Sequence, residues 1–158
     1  MCGIVGVVNL EPGRVDRAAL SRANDLQTHR GPDDSGLYVD DHAGLAMRRL
    51  AIIDLATGHQ PMSTENGAAV IVFNGEIYNF QELRKDLAAG GYPFKTRSDT
   101  EVILALYEKE GPACVKRLRG MFAFAIWDKR RKRLLLARDR IGKKPLVYAL
   151  RNGGLAFA

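Results

Sequence analysis

The chain has 158 residues, 46% hydrophobic and 27% charged, which fits one globular domain with a real core and excludes a disordered tail or a repeat array. The net charge of +6 suggests a nucleic-acid binder until it is located: five basic residues run consecutively from Lys129 to Arg133, and without them the 24 basic residues fall within one charge of the 18 acidic ones. That run has no aromatic residue for base stacking, so no nucleic acid is expected as a partner. No apolar run approaches the roughly 20 residues of a membrane span, and no amino-terminal stretch pairs basic residues with an apolar segment and a cleavage site. The expectation is a cytoplasmic protein that meets no membrane.

In chain order, Ile4, Val5, Val7 and Val8 form an apolar run broken by Gly3 and Gly6, a buried strand with close backbone approach at the glycines. Cys2 then emerges at one end of a central strand. Asp16 can cap a helix to about Gln27 with Ala19, Leu20, Ala23 and Leu26 inward. His29 to Gly36 is polar and rich in turn formers, so it is a shaped loop. Short strands follow at Gly36 to Asp40, Leu45 to Arg49 and Ala51 to Asp54. Thr57 to Pro61 breaks the pattern, and a strand from Ala68 to Phe73 ends at Asn74-Gly75.

Phe80 to Ala89 reads as a helix stopped by Gly90-Gly91, and a further helix opens on the capping box Ser98 to Glu101 and stops at Gly111-Pro112. Cys114 lies in a short helical stretch as a structural thiol. Met121 to Trp127 and Leu134 to Ala137 flank the basic run as two strands flank a hairpin turn. Leu146 to Leu150 and Leu155 to Ala158 pair across another turn. Strands and helices in groups, without strict alternation, predict an α+β protein with antiparallel sheets covered by helices. The chain ends inside a strand at Phe157-Ala158, which suggests a fragment of something longer.

Two cysteines and three histidines show no metal-ligand spacing, so no metal is expected. The chemistry centres on Cys2. If Met1 is removed, one residue carries a thiol and a free α-amine, and an amine with a pKa of about 7.7–8.0 can take the thiol's proton. On Met1-Cys2 alone, the buried start of a strand is the commoner reading. Asn74-Gly75 can supply a side-chain amide and a backbone N–H to an oxyanion, or can be a hairpin turn. Arg49 could grip a carboxylate in bidentate fashion or serve in a salt bridge. Asp99 could receive an ammonium group or simply favour a helix N-terminus, and Glu76 is a second ammonium candidate.

Met1-Cys2-Gly3-Ile4-Val5-Gly6, His29-Arg30-Gly31-Pro32-Asp33, Arg49-Leu50-Ala51-Ile52-Ile53-Asp54, Asn74-Gly75-Glu76-Ile77-Tyr78-Asn79, Ser98-Asp99-Thr100-Glu101 and Arg138-Asp139 occur in the order seen in class II glutamine amidotransferases. More narrowly, residues 1–158 resemble the glutaminase domain of glutamine-hydrolysing asparagine synthetases. The resemblance implies an N-terminal-nucleophile (Ntn) hydrolase fold, a four-layer αββα sandwich with two antiparallel sheets, that converts L-glutamine to glutamate and ammonia. It implies Cys2 as nucleophile, Asn74 and Gly75 as oxyanion hole, Arg49 on the substrate carboxylate, and Glu76 and Asp99 on its ammonium. The chain departs from many relatives at Met47, where they carry histidine.

The pyrophosphate loop of the synthetase domain is missing, since neither Gly90-Gly91 nor Gly153-Gly154 has its context. The resemblance therefore implies a partner synthetase domain in a longer chain, with ATP and magnesium bound there and no cofactor in residues 1–158. A homodimer is compatible with it. A glutaminase serving another acceptor, such as a cell-envelope precursor, and a non-catalytic interaction domain are the competing readings.

Overall fold

The structure, a computed structural model, describes residues 1–9, 13, 15–51, 58–151 and 153–158. Its strands are β1 (Gly3–Asn9), β2 (Asp34–Val39), β3 (Ala43–Arg49), β4 (Met62–Ser63), β5 (Ala69–Ile77), β6 (Gly120–Asp128), β7 (Arg133–Arg138), β8 (Tyr148–Arg151) and β9 (Gly154–Phe157). The helices are α1 (Arg17–Asp25), α2 (Phe80–Ala89) and α3 (Asp99–Glu110), with a 3₁₀ segment at Gly111–Arg117. Every strand pair is antiparallel. One sheet runs β2-β3-β1-β9-β8 and the other β4-β5-β6-β7.

Side chains alternate across a strand with period two, and that alternation builds the layers. Ile4 and Val8 of β1, Leu45 and Met47 of β3, and Phe157 of β9 meet Val70 and Val72 of β5 and Ala123, Ala125 and Trp127 of β6 in one core between the sheets. The opposite residues of β5 and β6, Ile71, Phe73, Phe124 and Ile126, pack on Leu83 and Leu87 of α2 and on α3 in a second core. Ala123 and Ala125 of β6 lie toward the other sheet together with Trp127, and Phe122 and Phe124 lie toward the helices. On the far side, α1 sits against β3: a Cβ at Gly44 would lie 2.7 Å from Leu20 Cδ2. The order of layers is helix, sheet, sheet, helices, the four-layer sandwich expected.

β1 lies in the middle of its sheet, flanked by β3 and by the last strand β9. Gly6 permits that packing, because a Cβ there would come within 2.4 Å of the Phe157 ring. The basic run forms the predicted turn, where Asp128 accepts the Arg131 N–H at 2.9 Å and Arg131 Nη1 donates to the same carboxylate at 3.0 Å. Asp16 caps α1 by accepting the Ala19 N–H at 2.9 Å, although the helix ends at Asp25, before Gln27.

Two local expectations need correction. Asn74-Gly75 is neither a hairpin turn nor a strand end: β5 continues to Ile77, with Asn74 opposite Ala123 and Gly75 opposite Phe122. The capping box is half formed. Ser98 accepts the Thr100 N–H at 3.1 Å, but the Glu101 carboxylate turns away to take the Lys95 and Thr96 N–H groups at 2.8 and 2.7 Å. Met62–Ser63 adds a two-residue strand too short to show a period. The strand expected at Ala51 to Asp54 falls, from 52 on, outside the described residues. Among the described residues, no helix is long and apolar enough to cross a membrane.

Candidate active site

Cys2 precedes Gly3, which pairs with Arg48, so the strand ends bring Cys2 beside Arg49. The period-two alternation then aims both inward. Cys2 falls on the face of Ile4 and Val8, and Arg49 on that of Leu45 and Met47. By the same alternation Asn74 and Glu76 continue the face of Val70 and Val72 on the opposing sheet. Four residues from three strands, Cys2 at the start of β1, Arg49 at the end of β3, and Asn74 and Glu76 within β5, thus converge. They line a cavity of about 200 Å³ together with Gly75 and Asp99.

The Cys2 thiol is half-buried; its Sγ accepts the Leu50 N–H at 3.4 Å and lies 3.6 Å from the Leu50 carbonyl. Arg30 Nε donates to the Cys2 carbonyl at 3.1 Å, anchoring the chain entry to β1. Arg49 is buried, and its carbonyl accepts the Asp33 N–H at 3.1 Å. Asn74 is buried at 3% exposure. Position 75 excludes any side chain, since a Cβ there would lie 2.2 Å from the Met121 carbonyl oxygen and 2.7 Å from Phe122 Cα.

Asp99 opens α3 and accepts the Ile77 N–H at 3.0 Å, tying the helix to the end of β5. Burial pushes its carboxyl up to about 6, with the Glu76 carboxylate acting in the same direction, against the amide donors Ile77 and Thr100 that favour the charge. A cationic ligand would relieve both the burial and the like-charge repulsion.

All six residues singled out from the sequence therefore lie around one cavity. Two further residues on its wall escaped the sequence reading. Gln60 is buried and joins β5 to α3 through its side chain; a glutamine among turn formers has no periodic or motif signal. Lys144 is buried as well, but in the sequence it sits in a polar connection among other basic residues. The structure turns it inward because Asp139 gathers the N–H groups of Phe122, Lys143 and Lys144 at 3.2, 2.9 and 3.0 Å. Burial would raise the Asp139 carboxyl, but these amide donors hold it below the usual range.

Chemically, the cavity offers a thiol, a buried amide beside a side-chain-free backbone, a guanidinium and two carboxylates. The set matches a zwitterion carrying an amide to be opened. The whole chain, residues 1–158, matches the family model described as a glutamine amidotransferase domain. Asparagine synthetase [glutamine-hydrolyzing] 1 of Bacillus subtilis (strain 168) is 48% identical over 161 residues, covering 100% of this chain and 26% of that protein. Asparagine synthetase B [glutamine-hydrolyzing] of Escherichia coli (strain K12) is 44% identical over 158 residues, covering 99% of this chain and 28% of the relative.

The chain thus spans about a quarter of the length of these relatives. Among solved structures, glutamine phosphoribosylpyrophosphate amidotransferase from B. subtilis, complexed with ADP and GMP, superposes over 99% of this chain and 41% of its own with a TM-score of 0.77 at 19% identity. That likeness concerns the fold alone, a sandwich of two antiparallel sheets between helical layers. Matched along its whole length by the family model and by relatives at more than 40% identity, the chain belongs to the glutamine amidotransferase domain family.

Proposed function

We propose that this domain hydrolyses L-glutamine to L-glutamate and ammonia through a thioester on Cys2, and that a synthetase domain of a longer chain consumes the ammonia in ATP-dependent asparagine formation. The observation that carries the reading is the convergence of Cys2, Arg49, Asn74, Gly75, Glu76 and Asp99 on one cavity from four separate stretches of chain. Removal of Met1 turns the Cys2 nitrogen from an amide into an amine. That amine takes the thiol proton, and the thiolate attacks the side-chain carbonyl carbon of glutamine.

The resulting oxyanion is met by the Asn74 side-chain NH₂ and the Gly75 N–H, donors fixed in position before charge develops. Arg49 holds the substrate carboxylate, while Asp99 and Glu76 hold its ammonium, so the carbonyl arrives oriented. The amine returns its proton to the departing nitrogen, which leaves as ammonia with the thioester in place. The same amine then deprotonates water, whose attack releases glutamate and restores the thiol. The sequence consumes one glutamine and one water and needs no cofactor; ATP and magnesium serve the acceptor reaction in the synthetase domain. A cytoplasmic setting, which keeps thiols reduced, suits such a nucleophile.

The test is intact mass before and after exposure to diazo-oxo-norleucine, a glutamine-mimicking electrophile, with ammonia release from glutamine measured alongside. The expected result is a chain lacking Met1 that gains one adduct, on Cys2. A folded, Met1-free sample that takes no adduct and releases no ammonia would overturn the proposal.

A further inference from the structure

Gln60 lies outside the six residues that contact substrate in the proposed mechanism, yet it is only 5% exposed and lines the same cavity. Its Oε1 accepts the Phe73 N–H at 2.7 Å, one residue before Asn74, and its Nε2 donates to Thr100 Oγ1 at 3.2 Å, one residue after Asp99. One side-chain amide thus spans the strand that carries the oxyanion donors and the helix that carries the ammonium acceptor. The main chain at Gln60 is pinned as well, because β2 presses against it. A Cβ at Gly36 would lie 1.8 Å from the Gln60 carbonyl oxygen.

The geometry points to Gln60 as a positioning residue that sets the spacing between the two ends of the glutamine site. The inference rests on the glutaminase reading. A free amino acid must be gripped at its head and at its side-chain carbonyl simultaneously, so the spacing between Asp99 and Asn74 matters as much as either group. The Ile77 N–H bond to Asp99 joins the same helix to β5 from the other side of Asn74. With Gln60 it brackets the oxyanion pair, one tie on each flank. Loss of the Gln60 tie leaves the Ile77 N–H bond as the one remaining hydrogen bond of this pair between the start of α3 and β5, and relaxes the spacing there.

The experiment uses Gln60→Leu, which removes both hydrogen bonds at similar volume, Thr100→Val, which removes one without touching β5, and the double variant. Two electrophiles separate positioning from damage. Diazo-oxo-norleucine carries an amino-acid head and needs both ends of the site, whereas iodoacetamide needs only the thiol. The expected result for Gln60→Leu is labelling of Cys2 by diazo-oxo-norleucine slowed at least about tenfold, with the iodoacetamide rate within about twofold of the parent. Glutamine KM should rise more than kcat falls, Thr100→Val should show part of the effect, and the double variant should be no worse than Gln60→Leu.

Equal slowing by both electrophiles, or additive effects in the double variant, would overturn the role. Should the parent take iodoacetamide but not diazo-oxo-norleucine, the glutamine reading itself falls. The tie then remains readable by hydrogen exchange: faster exchange in Gln60→Leu at both the Phe73 amide and the first turn of α3 supports it, and a change at one alone overturns it.

Discussion

Asp99→Asn exchanges a buried carboxylate for a neutral amide of the same shape, at the point where α3 meets the end of β5. The Ile77 N–H, 3.0 Å from the carboxylate, still finds an oxygen to donate to. What disappears is a charge that the fold holds at a cost. The carboxyl is raised from 3.8 to about 6 by burial and by Glu76, which amounts to about 3 kcal/mol against the charged, folded state.

The sign follows from linkage. Below the unfolded value both states are protonated and the group is neutral to stability. As pH rises from about 4 through about 6 the unfolded chain gives up its proton first, and stability falls; above the folded value the loss is complete. Asp99→Asn should therefore match the parent near pH 4 and exceed it by up to about 3 kcal/mol near pH 8, while glutamine KM rises because the ammonium has lost its buried anion. Urea unfolding of both proteins across that range, with glutaminase kinetics alongside, measures the two effects. A variant no more stable than the parent near pH 8, or an advantage that does not change with pH, would refute the burial argument.

Other outcomes follow from the same geometry. Asn74→Ala should lower kcat by roughly 10²–10³-fold with a smaller change in KM, since the amide acts on charge that exists only in the transition state; steady-state kinetics checks it. Arg49→Lys should raise glutamine KM by tenfold or more, because losing one of two charge-assisted hydrogen bonds removes about 1.5–3 kcal/mol; isothermal titration of glutamate, the product, reads the same loss. Gly75→Ala drives a methyl to 2.2 Å from the Met121 carbonyl oxygen and should destabilise by about 1–3 kcal/mol or more, lowering Tm by about 2–4 °C for each kcal/mol. In the parent, glutamine KM should rise as pH falls below about 6 while Asp99 takes up its proton; in Asp99→Asn that dependence should vanish.

The elements were legible in the sequence wherever their signal is local. Asp16 caps α1 from one turn away, the basic run forms the β6–β7 turn between two apolar stretches, and the interrupted run after Cys2 is a central strand. Reading failed where a partner outside the motif decides. Glu101 completes the three-residue spacing of a capping box, yet the N–H groups of Lys95 and Thr96 compete for its carboxylate and win it. Asn74-Gly75 has the composition of a turn, yet the facing strand β6 pairs straight through it as far as Ile77. Cross-strand hydrogen bonds of this kind override a dipeptide's own preference.

The sequence by itself determined the list of chemical groups, because Cys2, Arg49, Asn74-Gly75, Glu76 and Asp99 stand in ordered motifs whose side chains are the chemistry. It also determined which face of each strand they occupy, since the alternation that buries Ile4, Met47 and Val72 aims Cys2, Arg49 and Asn74 the same way. Only the tertiary structure decided that these faces meet at one end of the sandwich, that Asp99 is buried deeply enough to push its carboxyl up to about 6, and that Gln60 and Lys144 share the wall. Backbone preference and side-chain direction are set within a few residues, whereas burial, field and spacing are sums over neighbours that the chain brings together only when it folds.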